Sequence, residues 1–184
     1  MDSEKLKLRK WLMMADFEYL SARLLLTHSV YITGLSSAAR ALELYLKVLV
    51  HQKKKVPFDQ MFKEYGHSIN KLLKELNINL DSTGDKVVKD LNESYKNRYP
   101  DNWKGDVKWR FWLHEIDKII CLVHNDVWIL IDESEKIEIK KQNVLFLAST
   151  NFNFPFGHEQ EFGSMELAAL FKRGNNSWWN FIFN

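Results

Sequence analysis

The chain has 184 residues, 46% of them apolar, and a formal net charge of +2. That is enough apolar material for one well-buried core, and too little charge for a surface coated to grip duplex nucleic acid. The single cysteine, Cys121, excludes an internal disulfide framework and fits a reducing cytoplasm.

The N-terminal MDSEKLKLRK is charged, and the apolar segment after it is broken by Asp16, Glu18 and Arg23. Neither a signal peptide nor a membrane span is expected there. A first helix is predicted over residues 3–28. Trp11, Leu12, Ala15, Tyr19, Ala22 and Leu26 form one apolar stripe, and Met13, Phe17, Leu20 and Leu24 a second. Two apolar sides predict burial on two sides. The short link that follows predicts an antiparallel helix pair, with Gly34 supplying a positive φ.

Residues 35–50, LSSAARALELYLKVLV, read as a helix with two faces. Leu35, Ala38, Ala39, Leu42, Leu46 and Leu49 make its buried stripe. Ser36, Arg40, Glu43 and Lys47 recur at the same steps on another side, with Glu43 within reach of both Arg40 and Lys47. Cations at residues 51–55 suit the helix end, and Pro57 closes it. Residues 58–65 read as one loose turn. Residues 66–76, GHSINKLLKEL, predict a short amphipathic helix through Ile69, Leu72, Leu73 and Leu76. A further helix is predicted over 85–97, stopped at Arg98-Tyr99-Pro100. Asp106 is expected to cap a long apolar helix reaching residue 131. Beyond it, KIEIK (136–140) and NVLFLAS (143–149) alternate as short strands do. Residues 151–163 read as loop, 164–171 as a brief helix, and the chain ends SWWNFIFN.

MADFEYLSARLLL, AARALELYLKVLV, GHSINKLLKEL and SYKNRYPDN occur in that order. In this combination the chain resembles the HEPN family, the higher eukaryotes and prokaryotes nucleotide-binding domain, over about residues 6–131. The resemblance implies an all-α, up-and-down bundle of four or five helices, usually a homodimer. It also implies a setting: many relatives are encoded beside a minimal nucleotidyltransferase in toxin–antitoxin-like pairs. Some relatives are ribonucleases with an Arg-x(4-6)-His motif in a late helix; others bind nucleotides, RNA or a partner protein. Residue by residue, the resemblance carries over to Glu43, Lys47 and His67, with Tyr95, Arg98, Tyr99 and Asp101 completing a polar cleft. The expected organisation is a bundle over 1–135. A C-terminal extension over 136–184, of short strands, loop and short helix, would cover the bundle or a second copy.

The ribonuclease motif is not met in the late helix, where Arg110 and His114 are one residue too close. Arg23 and His28 match the spacing on the first helix, but five residues turn a helix by about 140°. A divergent, metal-independent endoribonuclease using that pair is therefore one alternative. Arg40, Lys47 and Arg98 are cations for a phosphate, and Tyr95 or Tyr99 a platform for a base. Glu43 and Asp101 would orient them. The same residues would also serve as an ion-pair network joining the second helix to the RYPD bend. His67 has no His or Cys partner at metal-ligand spacing, so no metal is expected. With no glycine-rich phosphate loop or nucleophile elbow, no cofactor is expected either. The leading expectation is a non-catalytic, cytoplasmic binding protein. A structural partner protein acting through Trp178, Trp179, Phe181, Ile182 and Phe183 is the other alternative.

Overall fold

The computed structural model describes residues 3–97, 99, 101 and 112–142. Its first two helices, α1 (Ser3–Thr27) and α2 (Tyr31–Lys54), are antiparallel. Cross-contacts run in opposite order along them: Glu18 meets Arg40, and Asp16 meets Tyr45. The positive φ of the link falls on Ser29 (φ 63°), not on Gly34. Gly34 instead lies inside α2, where an added Cβ would sit 2.8 Å from Leu26 Cγ and 3.1 Å from the Leu26 backbone nitrogen. It is needed because the two helices approach too closely for a side chain.

α2 is the central element and packs against α1, α4, α5 and α6. The predicted stripe from Leu35 to Leu49 is buried, but so are Ala41, Tyr45, Val48 and Val50. A helix surrounded by neighbours buries more than one face, so its ionic row is divided. Arg40 remains exposed, whereas Glu43 and Lys47 are inside. On α1 the first predicted stripe is buried or packed on the core, but Met13 and Leu24 of the second are exposed.

α3 (Phe58–Tyr65) is a full two-turn helix rather than a loose turn. It starts after Pro57 and ends at Gly66, the usual punctuation of a helix. Its inward side chains are Phe58 and Met61. α4 (Ile69–Glu75) follows, with the Ser68 hydroxyl accepting from the Lys71 amide. α5 (Ser82–Asn97) begins earlier than predicted, because the Asp81 carboxylate accepts the amides of Thr83 and Gly84 at 3.0 and 2.7 Å. α6 (Leu113–Ile129) starts at Leu113, after the non-helical Trp112. The Asp106 cap lies outside the described residues.

α7 (Glu133–Gln142) overturns the strand expected at KIEIK. Alternation put Ile137 and Ile139 on one face of a strand. On the helix they separate: Ile139 is buried and Ile137 is 56% exposed. Glu135 accepts from Arg9 Nε at 2.8 Å, and this guanidinium holds its carboxyl below the usual range. Residue 135, expected to end the bundle, thus lies within α7. The described residues are all-helical. NVLFLAS and the rest of the extension lie outside them. Among the described residues, no helix is long and apolar enough to cross a membrane.

Candidate functional site

Gly66 ends α3 at φ 56°, ψ −126°, a conformation that strains any residue with a Cβ. The turn places its carbonyl 2.7 Å from Lys47 Nζ on α2. One turn back along α2, Glu43 Oε1 accepts from the same ammonium at 2.6 Å. The side chains of Lys47 and Glu43 are only 3% and 6% exposed. Two protons of the ammonium are thereby used, and Nζ sits 5.9 Å from the Trp11 ring centroid and 6.0 Å from that of Phe62.

The residue after Gly66 completes the cluster. His67 Nδ1 lies 3.1 Å from each Glu43 carboxylate oxygen. With an ionised carboxylate facing it, Nδ1 carries the proton and donates. Nε2 has no hydrogen-bond partner among the described residues, and the His67 side chain is 47% exposed. Tyr95 Oη, on α5, lies 3.3 Å from Nδ1. Phe62 meets the His67 ring edge-on at 5.1 Å between centroids, and Tyr95 meets it tilted at 5.2 Å. The result is a rim of three rings above a buried ion pair. The Ser36 hydroxyl, donating to the Ser94 carbonyl at 3.1 Å, holds the end of α5 against α2.

Of the sequence-predicted site residues, Glu43, Lys47, His67 and Tyr95 are brought together. Arg40 is not: it is exposed and pairs with Glu18 of α1 at 3.1 Å, whereas Glu43 is buried. Tyr99 and Asp101 are exposed beyond the end of α5. Arg98 lies outside the described residues. Lys47 does not present a free cation to solvent but holds Glu43 and the Gly66 carbonyl. Phe62 was missed, because reading residues 58–65 as a turn hid it. Its signal was available: Phe58, Met61, Phe62 and Tyr65 stand at i, i+3, i+4 and i+7 between Pro57 and Gly66.

Arg23 and His28 do not share a site. Arg23 does not snorkel to solvent; it is 1% exposed and ion-paired with Asp117 of α6, with Tyr19 donating to the same carboxylate at 2.5 Å. His28 is exposed, its Nδ1 2.8 Å from the Leu24 carbonyl. A second buried pair, Tyr45 donating to Asp16, lies nearby. Burial and the adjacent carboxylates push both phenols well above their ordinary value, so both remain donors. The basic run in the last turn of α2 is also engaged, with Lys53 on Asp126 at 2.9 Å and Lys54 on Glu75 at 3.8 Å. Among the described residues, no group of three His, Cys, Asp or Glu side chains could hold a metal.

His124 of α6 is a further titratable group, half-buried as a residue. Its Nδ1 is buried without a hydrogen-bond partner, and its ring meets Tyr45 edge-on at 5.5 Å and stacks on Trp128 at 6.0 Å. Burial lowers its pKa from 6.5 to about 4. The unfolded chain therefore takes up this proton first as pH falls, and stability present above about pH 6.5 is lost progressively toward pH 4. By linkage the loss at pH 4.5 is about 2–3 kcal/mol. Urea unfolding at pH 7 and 4.5 should show it. His124→Phe, which keeps the stack, should lose less stability between the two pH values than the parent. Equal losses in both would show that other groups carry the acid sensitivity.

Residues 8–126 match the HEPN domain family, from within the first turns of α1 to most of α6. No curated protein and no solved structure matches the chain. With well over half of its length in that match, and the helical bundle to go with it, the chain belongs to the HEPN domain family.

Proposed function

We propose that the chain is a binding protein for a nucleotide or single-stranded RNA, with Phe62, His67 and Tyr95 as its contact surface. The observation that carries this reading is the Glu43–His67 pair. A buried carboxylate fixes one imidazole nitrogen and leaves Nε2 available to a ligand, beside two aromatic rings. Phe62 is 64% exposed, an unfavourable place for a phenyl ring unless something stacks on it. α3 and α4 also line an open groove of about 510 Å³ that holds Lys54, Lys71 and Lys74 along with Glu64 and Glu75. Such cations suit a phosphate backbone.

A binding role is favoured over cleavage because Arg23, the arginine of the spaced Arg–His pair, is committed to Asp117 inside the bundle. The reading keeps the wider setting that the family suggests: a cytoplasmic homodimer paired with a minimal nucleotidyltransferase.

Fluorescence anisotropy with labelled oligonucleotides, and calorimetry with a nucleotide panel, test the site. Stacking on an aromatic side chain contributes about 1–3 kcal/mol per base. Phe62→Ala and Tyr95→Ala should therefore each weaken binding by roughly 5- to 150-fold, with helical content unchanged. A parent chain that binds none of these ligands at millimolar concentration, or variants as tight as the parent, would refute the proposal.

A further inference from the structure

The first turns of α1, the last turn of α2 and the link from α6 to α7 enclose a half-open cavity of about 230 Å³. Its walls include Leu8, His51, Lys55, Leu130 and Asp132, and none of Phe62, His67 or Tyr95. This volume is below the ~300–1,000 Å³ of sites for drug-sized molecules, so an occupant is small.

His51 is held from two sides. Its Nδ1 lies 2.8 Å from the Val56 carbonyl, and its ring stacks on Phe58 at 4.1 Å between centroids. Phe58 is backed in turn by Trp11 at 4.9 Å. A carbonyl cannot donate, so Nδ1 carries the proton, and Nε2 of the neutral ring is an acceptor. Nε2 has no hydrogen-bond partner among the described residues.

The charged groups of the wall divide into two sets. Glu4, Lys5 and Glu135 are engaged: Glu4 holds Lys7 at 3.2 Å, and Glu135 holds Lys5 at 3.5 Å and Arg9 at 2.8 Å. The side chains of Lys55 and Asp132 pair with no described residue, and not with each other. Asp132 stands directly before α7, yet only its backbone carbonyl is used there, accepting the Lys136 amide at 2.9 Å. Lys55 ends α2 in the left-handed region, at φ 59° and ψ 23°, where a glycine would sit with less strain. The backbone therefore does not ask for lysine at this position. Two opposite charges line one small cavity without neutralising each other.

We propose that this cavity binds a small zwitterion, a free α-amino acid with an apolar side chain. Its carboxylate would meet Lys55, its ammonium would donate to Asp132 and His51 Nε2, and its side chain would lie on Leu8 and Leu130. A phosphate or a simple carboxylate would bring an anion up to Asp132, and a simple amine would leave Lys55 unmatched. The site is independent of the nucleotide reading, since it shares no residue with the His67 rim.

Calorimetry on the full chain tests it, with leucine, methionine and phenylalanine as ligands. Isoamylamine and isocaproate are leucine without its carboxylate and without its ammonium. Lys55→Gly removes one charge and relieves the left-handed backbone. Asp132→Asn removes the other and keeps a residue suited to the start of α7. Binding of the parent at millimolar concentration or tighter, weakened about tenfold or more in each variant and for each half-ligand, with helical content unchanged, would support the proposal. No binding of any of the three amino acids at about 10 mM would overturn it. So would a half-ligand that binds as tightly as leucine, or either variant binding as tightly as the parent.

Discussion

Asp117→Ala should destabilise the fold by about 3–5 kcal/mol, read as a lowered midpoint in chemical unfolding. Asp117 is 0% and Arg23 1% exposed, and together they join α6 to α1 across 94 residues of chain. Removing the carboxylate leaves a guanidinium inside the bundle. That group cannot discharge itself by losing a proton. Tyr19, whose hydroxyl donates to Asp117, would lose its acceptor at the same time. Against a total stability of about 5–15 kcal/mol for a typical domain, this is a large share. Arg23→Ala should cost a comparable amount, by leaving the carboxylate alone. The double variant Arg23→Met/Asp117→Leu should recover most of the loss, because two well-packed apolar side chains replace a pair whose desolvation offset much of its attraction. A double variant no more stable than the worse single one would show that the pair contributes through something other than its mutual attraction.

Glu43→Ala should affect both stability and binding. It leaves the Lys47 ammonium buried with only the Gly66 carbonyl and aromatic rings beside it, at a cost of about 3 kcal/mol. It also frees His67 Nδ1 from the acceptor that fixes its tautomer. Glu43→Leu/Lys47→Met separates the two effects. Stability should largely return, since no charge is left inside. Ligand affinity should stay about tenfold below the parent, equivalent to ~1.4 kcal/mol, because the imidazole is no longer oriented. If the double variant binds as tightly as the parent, the three rings act alone and the buried carboxylate has no part in recognition.

Several features are legible in the amino-acid sequence, and the reason is local. α1 ends within a residue of its predicted limit, because its apolar period is long and unbroken. Glu43, Lys47 and His67 came from the ordered motifs, and the structure joins them within hydrogen-bond distance. KIEIK failed because five alternating residues fit a strand as well as one helical turn, and its helical state depends on Glu135 and Ile139 meeting the bundle. Arg40 stands apart from Glu43 and Lys47 although its period matches theirs, because the neighbour it pairs with, Glu18, lies on another helix. Phe62 was missed because its i, i+3, i+4, i+7 signal spans only two turns, the eight residues of α3, and is legible only with Pro57 and Gly66 taken as the helix limits.

The sequence by itself determined the long helices α1 and α2, the inward stripe of α2, and the family, because these depend on side chains three and four positions apart. Only the tertiary structure decided which polar groups are buried and with whom. Arg23 finds Asp117, Tyr45 finds Asp16, and Lys47 is drawn inside rather than offered to a ligand. The physical reason is that a charge enters a low-dielectric interior only opposite a partner. For Arg23 and Tyr45 the partner sits on another helix, and for Lys47 the Gly66 carbonyl that completes its enclosure lies past the end of α3, so no local pattern registers these meetings.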